Sequence, residues 1–238
     1  MAVTDTVQST NDHLEKTGVP VTPSEPDSLW HEAYTHPGVT AAVAVGTVLA
    51  GAGLLYASRG MLGLGRTGTL LIEDTPFMGK AMKQVLEEQG HAVTWLTGVT
   101  RVEPFTGVTA DGGSVVLNLK KFKTAFVDGE LSREVNGKMI PYELQGENIV
   151  APLKSKGVFS IGTSSVDKIN ADMLTNGADA AANKGVLFTT LVNRQVDFTG
   201  SLRAPVLQAR LDGLGTTITS DAGKPLRAAA DTVLKKFF

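Results

Sequence analysis

The sequence predicts an α/β fold built on an open parallel sheet, and three observations predict it. An apolar run at residues 69–73 ends in two adjacent carboxylates, Glu73 and Asp74. A second apolar run at residues 124–128 ends in Asp128, and a third, at residues 157–163, ends in the hydroxyl residue Thr163. A short Ala-rich stretch at residues 177–184 then delivers Lys184. Helix-periodic segments separate these runs, and open α/β sheets bind ligands outside the carboxyl ends of their strands. The strand ends are therefore expected to converge on one rim.

The elements follow in order. Residues 1–38 are polar, with Pro20, Pro23, Pro26 and Pro37, and are expected to be extended unless a partner orders them. Residues 39–57 carry no charge, and as a helix these nineteen residues would span about 28 Å, the thickness of a bilayer core. A single transmembrane helix is the reading; a helix buried in a protein assembly is the alternative. Lys16 is the one basic residue before the segment, whereas Arg59 and Arg66 follow it closely. The positive-inside rule then puts the N-terminal tail outside an inner membrane and the remainder in the cytoplasm. Ala42, Gly46 and Ala50 line one face of that helix and would permit close contact in a homo-oligomer.

A Gly-rich linker at residues 58–68 leads into the first strand at 69–73. Thr75 and Pro76 open a helix whose inward face is Met78, Ala81, Met82, Val85 and Leu86, and Gly90 ends it. Residues 92–96 form the second strand. Asp111-Gly112, set between β-branched runs, signals a β-hairpin. Residues 132–144 are an insertion, and Pro152 is expected to kink or shorten the helix that begins near Gly146. Asp167 caps a helix through Asn176, with Ile169 and Met173 inward and Gly177 closing it. A short helix at residues 186–194 comes last. Beyond it, residues 196–238 form a helical extension with amphipathic stretches at 201–211 and 225–238. In the second, Leu226, Ala230, Val233, Leu234 and Phe237 share a face, to be packed on the domain or, alternatively, laid on an anionic membrane surface.

Adjacent carboxylates such as Glu73 and Asp74 oppose each other's ionisation, and a divalent cation such as Mg²⁺ removes that opposition. The bland alternative is that they cap the helix that follows. The ordered set Glu73-Asp74, Asp128, Thr163 and Lys184 resembles the receiver domain of two-component response regulators, over roughly residues 68–195. The resemblance implies a doubly wound, flavodoxin-like parallel sheet of five strands at residues 69–195, with the hairpin as an insertion. It implies Mg²⁺ on Glu73, Asp74 and Asp128, phosphoryl transfer from a histidine kinase to Asp128, and contacts to the phosphoryl oxygens from Thr163 and Lys184. Gly162 or Ser164 are the other residues that fit the hydroxyl position.

The pattern also departs from that family. Gly185 stands where a proline follows the lysine, Ala181 where the switch aromatic lies, and Ser132 where a proline often follows the central Asp. No output domain is expected beyond residue 195. The first reading is therefore a pseudo-receiver, an interaction or assembly module with protein partners in a membrane-associated complex. The alternative is an active receiver that uses Mg²⁺ and is phosphorylated on Asp128. No other nucleophile–base pair is visible, so an enzyme is not expected. A net charge of −2 gives no reason to expect nucleic acid, and the absence of cysteine excludes disulfides and thiolate metal sites. His31 and His36 lack the i,i+4 spacing of the helical zinc motif.

Overall fold

A computed structural model describes residues 68–198 and 203–238. The tail, the apolar segment and the linker up to residue 67 lie outside the described residues. Among those described, no helix is long and apolar enough to cross a membrane.

The described residues begin with β1 (Gly68–Ile72), α1 (Pro76–Glu88) and β2 (Ala92–Val102), followed by β3 (Phe105–Thr109) and β4 (Ser114–Val116). Next come β5 (Phe122–Asp128), β6 (Ser132–Val135), β7 (Lys138–Pro141) and α2 (Gly146–Ser155). The remainder is β8 (Phe159–Ser164), α3 (Asp167–Thr175), β9 (Ala180–Asn183), α4 (Lys184–Val192), α5 (Ala204–Thr219) and α6 (Lys224–Leu234).

The main sheet has seven strands in the order β4-β3-β2-β1-β5-β8-β9. From β2 to β9 all neighbours are parallel, so the five-stranded parallel core expected from the sequence is present. Its order is that of the doubly wound flavodoxin-like class, with the topological switch between β1 and its two neighbours. The expected hairpin is β3–β4, and it adds to the sheet antiparallel beside β2. β2 therefore runs on to Val102, well past the predicted end at Leu96, because β3 supplies a partner for its second half. Gly112 sits at φ 83° in the hairpin turn, a conformation glycine adopts without strain.

The insertion after β5 is a second hairpin, β6–β7, forming a separate two-stranded sheet. Its turn places Asn136 and Gly137 at φ 52° and 75°, the pair of left-handed residues that suits a tight hairpin.

α1 buries the five residues of its predicted inward face and starts with Thr75 as N-cap and Pro76 in the first turn. Past its end, the His91 N–H reaches back to the Leu86 carbonyl at 3.0 Å, with Gly90 at φ 94° making the turn. α2 keeps Pro152 inside and ends three residues later. Its start is secured by reciprocal hydrogen bonds between Gln145 and Asn148. Two expected boundaries are corrected. Asp167 is the first helical residue of α3, whose N-cap is Val166. α4 starts at Lys184 rather than 186, because the Asn183 side chain accepts the Gly185 N–H and caps it there.

Leu70 and Ile72 of β1 share a core with Ile149 and Val150 of α2 and with Met173 of α3. α1 and α4 pack together elsewhere, with α6 against both and α5 against α4 and β9. α6 buries Ala230 and Leu234, and beyond it the Phe238 ring stacks on Phe77 at 4.5 Å. Its apolar side is thus directed at the domain.

Candidate functional site: a carboxylate–lysine cluster

β1, β5, β8 and β9 run parallel, so their carboxyl ends share one rim. Glu73 and Asp74 directly follow β1, and Asp128 closes β5. Thr163 is in register with Asp128 across β5 and β8, and with Ala182 of β9, two residues before Lys184. The five residues singled out by sequence are thereby brought to one place.

The contacts are close. Lys184 Nζ lies 2.7 Å from Asp128 Oδ2 and 3.0 Å from Glu73 Oε2. All three side chains are buried. One carboxylate oxygen from each of Glu73, Asp74 and Asp128 lies within 4.8 Å of the others. Three hard oxygen donors suit a divalent cation such as Mg²⁺. Burial pushes the Asp128 carboxyl well above the usual carboxylate range; the Glu73 charge adds to this, Lys184 opposes it, and Asp74 raises it further.

Thr163 is also buried, and its hydroxyl has no hydrogen-bond partner among the described residues. Side chains of residues in register on parallel strands project to the same face, so Thr163 shares the Asp128 face of the sheet. Ser164, an alternative for the hydroxyl position, instead accepts the Val166 N–H through Oγ. Gly162 is packed against Met173, whose methyl group a β-carbon there would strike.

Further residues hold the cluster. Trp95 Nε1 donates to the Glu73 carbonyl at 2.8 Å, and the Thr75 N–H donates to Glu73 Oε1 at 3.2 Å. The Ser132 N–H and hydroxyl both donate to Asp74 Oδ2, each at 2.7 Å. Sequence reasoning gave these residues no such part. Ser132 and Asp74 are 58 positions apart, and only the fold of the β6 hairpin joins them. The single available signal was Asn136-Gly137, which marks the hairpin but not its docking.

No family model and no curated protein matches the chain. Similar solved structures include a CheY-like response regulator receiver domain protein from Methanospirillum hungatei JF-1. It is 16% identical over 63% of this chain and 97% of that one, with a TM-score of 0.35. A two-component response regulator from Clostridium difficile is 16% identical over 65% of this chain and 99% of its own, with a TM-score of 0.36. A response regulator from Burkholderia pseudomallei, with a phosphorylated aspartic acid, calcium ion and citrate, is 16% identical over 71% of this chain and 92% of its own, at 0.36. At such scores the likeness carries no weight of its own, and the α/β assignment stands on strand order and register.

Proposed function

We propose that this chain is a receiver-like interaction module whose carboxylate cluster, with Glu73 and Asp128 buried and Asp74 half-buried, binds a divalent cation, and whose output is contact with other proteins. One observation carries the cation: among the described ion pairs, a single ammonium, Lys184, serves a cluster of three carboxylates. Buried charge without compensation is strongly unfavourable, and a cation on Glu73, Asp74 and Asp128 would supply what is missing. When bound, such an ion would neutralise the acidic oxygens and hold them together. Lys184 would keep Asp128 oriented, and Thr163 would offer its free hydroxyl beside it.

The interaction role is favoured by the closure of the site. Asp128 is 3% exposed and its carboxylate is engaged by Lys184, while Asp74 is engaged by Ser132. A small residue, Ala181, stands in β9 where the receiver pattern has its switch aromatic. The uncharged residues 39–57 support attachment to the inner membrane, with the N-terminus outside and the α/β domain cytoplasmic. Protein partners in a membrane complex, including further copies of the chain, fit that placement.

A second reading, phosphorylation of Asp128 by a histidine kinase with Mg²⁺, is favoured by the Lys184 ammonium 2.7 Å from Asp128 and by the unpartnered Thr163 hydroxyl on the strand in register with it. One experiment separates the two. The full-length chain in detergent is titrated with Mg²⁺ and then incubated with a small acyl phosphate. Mg²⁺ binding without a phosphoryl mass increase supports the module. A mass increase that maps to Asp128 and disappears in Asp128→Asn replaces it with the phosphorelay.

A further inference from the structure

The β6–β7 hairpin is hydrogen-bonded to the acidic cluster through Ser132. Ser132, the first residue of β6, gives both its N–H and its hydroxyl to Asp74 Oδ2. A carboxylate oxygen offers about two acceptor sites, so this atom is fully used. Both bonds are charge-assisted, and their strength depends on the negative charge of Asp74.

The base of the hairpin is held independently. Gln145 Oε1 accepts the Leu131 N–H at 2.8 Å, and its Nε2 donates to the carbonyls of Leu131 at 3.0 Å and Tyr142 at 2.5 Å. The Tyr142 ring lies directly over Gly98 of β2, where a β-carbon would collide with it. The hairpin thus has a fixed root at Gln145 and Tyr142 and a separate latch at Ser132. Met139 and Ile140, on the strand opposite that latch, are exposed.

We infer that Ser132 is a positioning residue that sets cation occupancy of the cluster against anchoring of the β6–β7 hairpin. This rests on the cation reading above. A divalent ion on Glu73, Asp74 and Asp128 draws on the charge and the orientation of the same Asp74 carboxylate that the latch uses. The ion weakens the latch, and by the reciprocity of linkage the latch weakens the ion. The hairpin is then the element through which the state of the buried cluster reaches the surface. Thr163 gives the cluster a second mark of ligand binding, a buried hydroxyl without a partner.

The test uses the full-length chain, with Mg²⁺ as the probe. Affinity is measured by calorimetry, and amide hydrogen exchange is followed by mass spectrometry over residues 131–142. Ser132→Ala removes one of the two donors and is expected to bind Mg²⁺ about fivefold more tightly. Ser132→Thr keeps both donors and is expected to match the wild type. In the wild type, Mg²⁺ is expected to speed exchange in the hairpin; in Ser132→Ala the hairpin already exchanges faster and Mg²⁺ adds little. Equal or weaker Mg²⁺ affinity in Ser132→Ala overturns the proposal, as does Mg²⁺ that binds the wild type and leaves hairpin exchange unchanged or slower. Absence of Mg²⁺ binding in every variant removes the cation reading and the coupling together. Because affinity is read separately from exchange, that result is distinct from binding without coupling.

Discussion

Lys184 stands between two buried carboxylates, and its removal leaves Glu73 and Asp128 facing each other without a counter-charge. Lys184→Met is expected to lose about 3–5 kcal/mol in urea unfolding. Asp128→Asn has the opposite expectation. Burial and the Glu73 charge hold the Asp128 carboxyl well above its ordinary value of 3.8, so folding favours its protonated form. The contribution of that group to stability is complete below 3.8 and is lost as pH rises through the folded-state value. Asn keeps the neutral form at every pH and leaves Lys184 paired with Glu73. Asp128→Asn should therefore melt higher than wild type in alkaline solution, once the pH exceeds the folded-state value of the Asp128 carboxyl. The difference should vanish in acid. A variant that melts lower than wild type at both pH values would show that the ionised Asp128–Lys184 pair outweighs its desolvation. The double variant should fall short of the sum of the two, since both act on one charge balance.

At the level of the elements, the loop after β5 is fixed by how closely α2 approaches it. A β-carbon on Gly146 would meet the carbonyl oxygen of Asp128 and the α-carbon of Gly129, backbone atoms that cannot turn aside. Gly146→Ala should cost about 2 kcal/mol in chemical denaturation and shift the Asp128 loop, visible as displaced amide resonances at residues 128–131. Unchanged stability would mean the loop yields more easily than its packing implies. The parallel core was legible in sequence because each of its central strands is a short apolar run with a distinctive residue at its end, as Asp128 ends β5. The β3–β4 hairpin was legible through Asp111-Gly112. The β6–β7 hairpin was equally marked by Asn136-Gly137, yet the local signal says nothing of where a hairpin docks. That is decided by Ser132 on Asp74 and by Gln145 at the root, contacts whose partners lie 58 and 14 residues away. Asp167 failed as a cap for a related reason. The Val166 N–H is already bonded to Ser164 Oγ, and Asn170 ties the same turn to the Ser164 carbonyl, so the helix is positioned from the strand that precedes it.

Across the whole molecule, the sheet has two edges, and they are protected differently. β4 is only three residues long, which limits what can pair with it. β9 is shielded by α5: Gln208 Oε1 accepts the Ala181 N–H at 2.8 Å, and its Nε2 donates to the Ala181 carbonyl at 3.0 Å. One side-chain amide therefore occupies both backbone groups that Ala181 would offer to an added strand. The same C-terminal segment contributes the buried residues Leu207, Leu211, Ile218, Ala230 and Leu234, and its two helices pack on β9, α1 and α4. Gln208→Ala removes only the two hydrogen bonds and should cost about 1–3 kcal/mol, without a change in oligomeric state. Deleting residues 203–238 uncovers the β9 edge, α1 and α4 together. That truncation should lower the melting temperature far more than Gln208→Ala and make the protein associate as concentration rises, as measured by sedimentation velocity. Both variants free the Ala181 backbone, and only the truncation bares the apolar faces. Association in both would make the strand edge the source, and association in neither would mean that α5 and α6 are not what keeps this side of the domain closed.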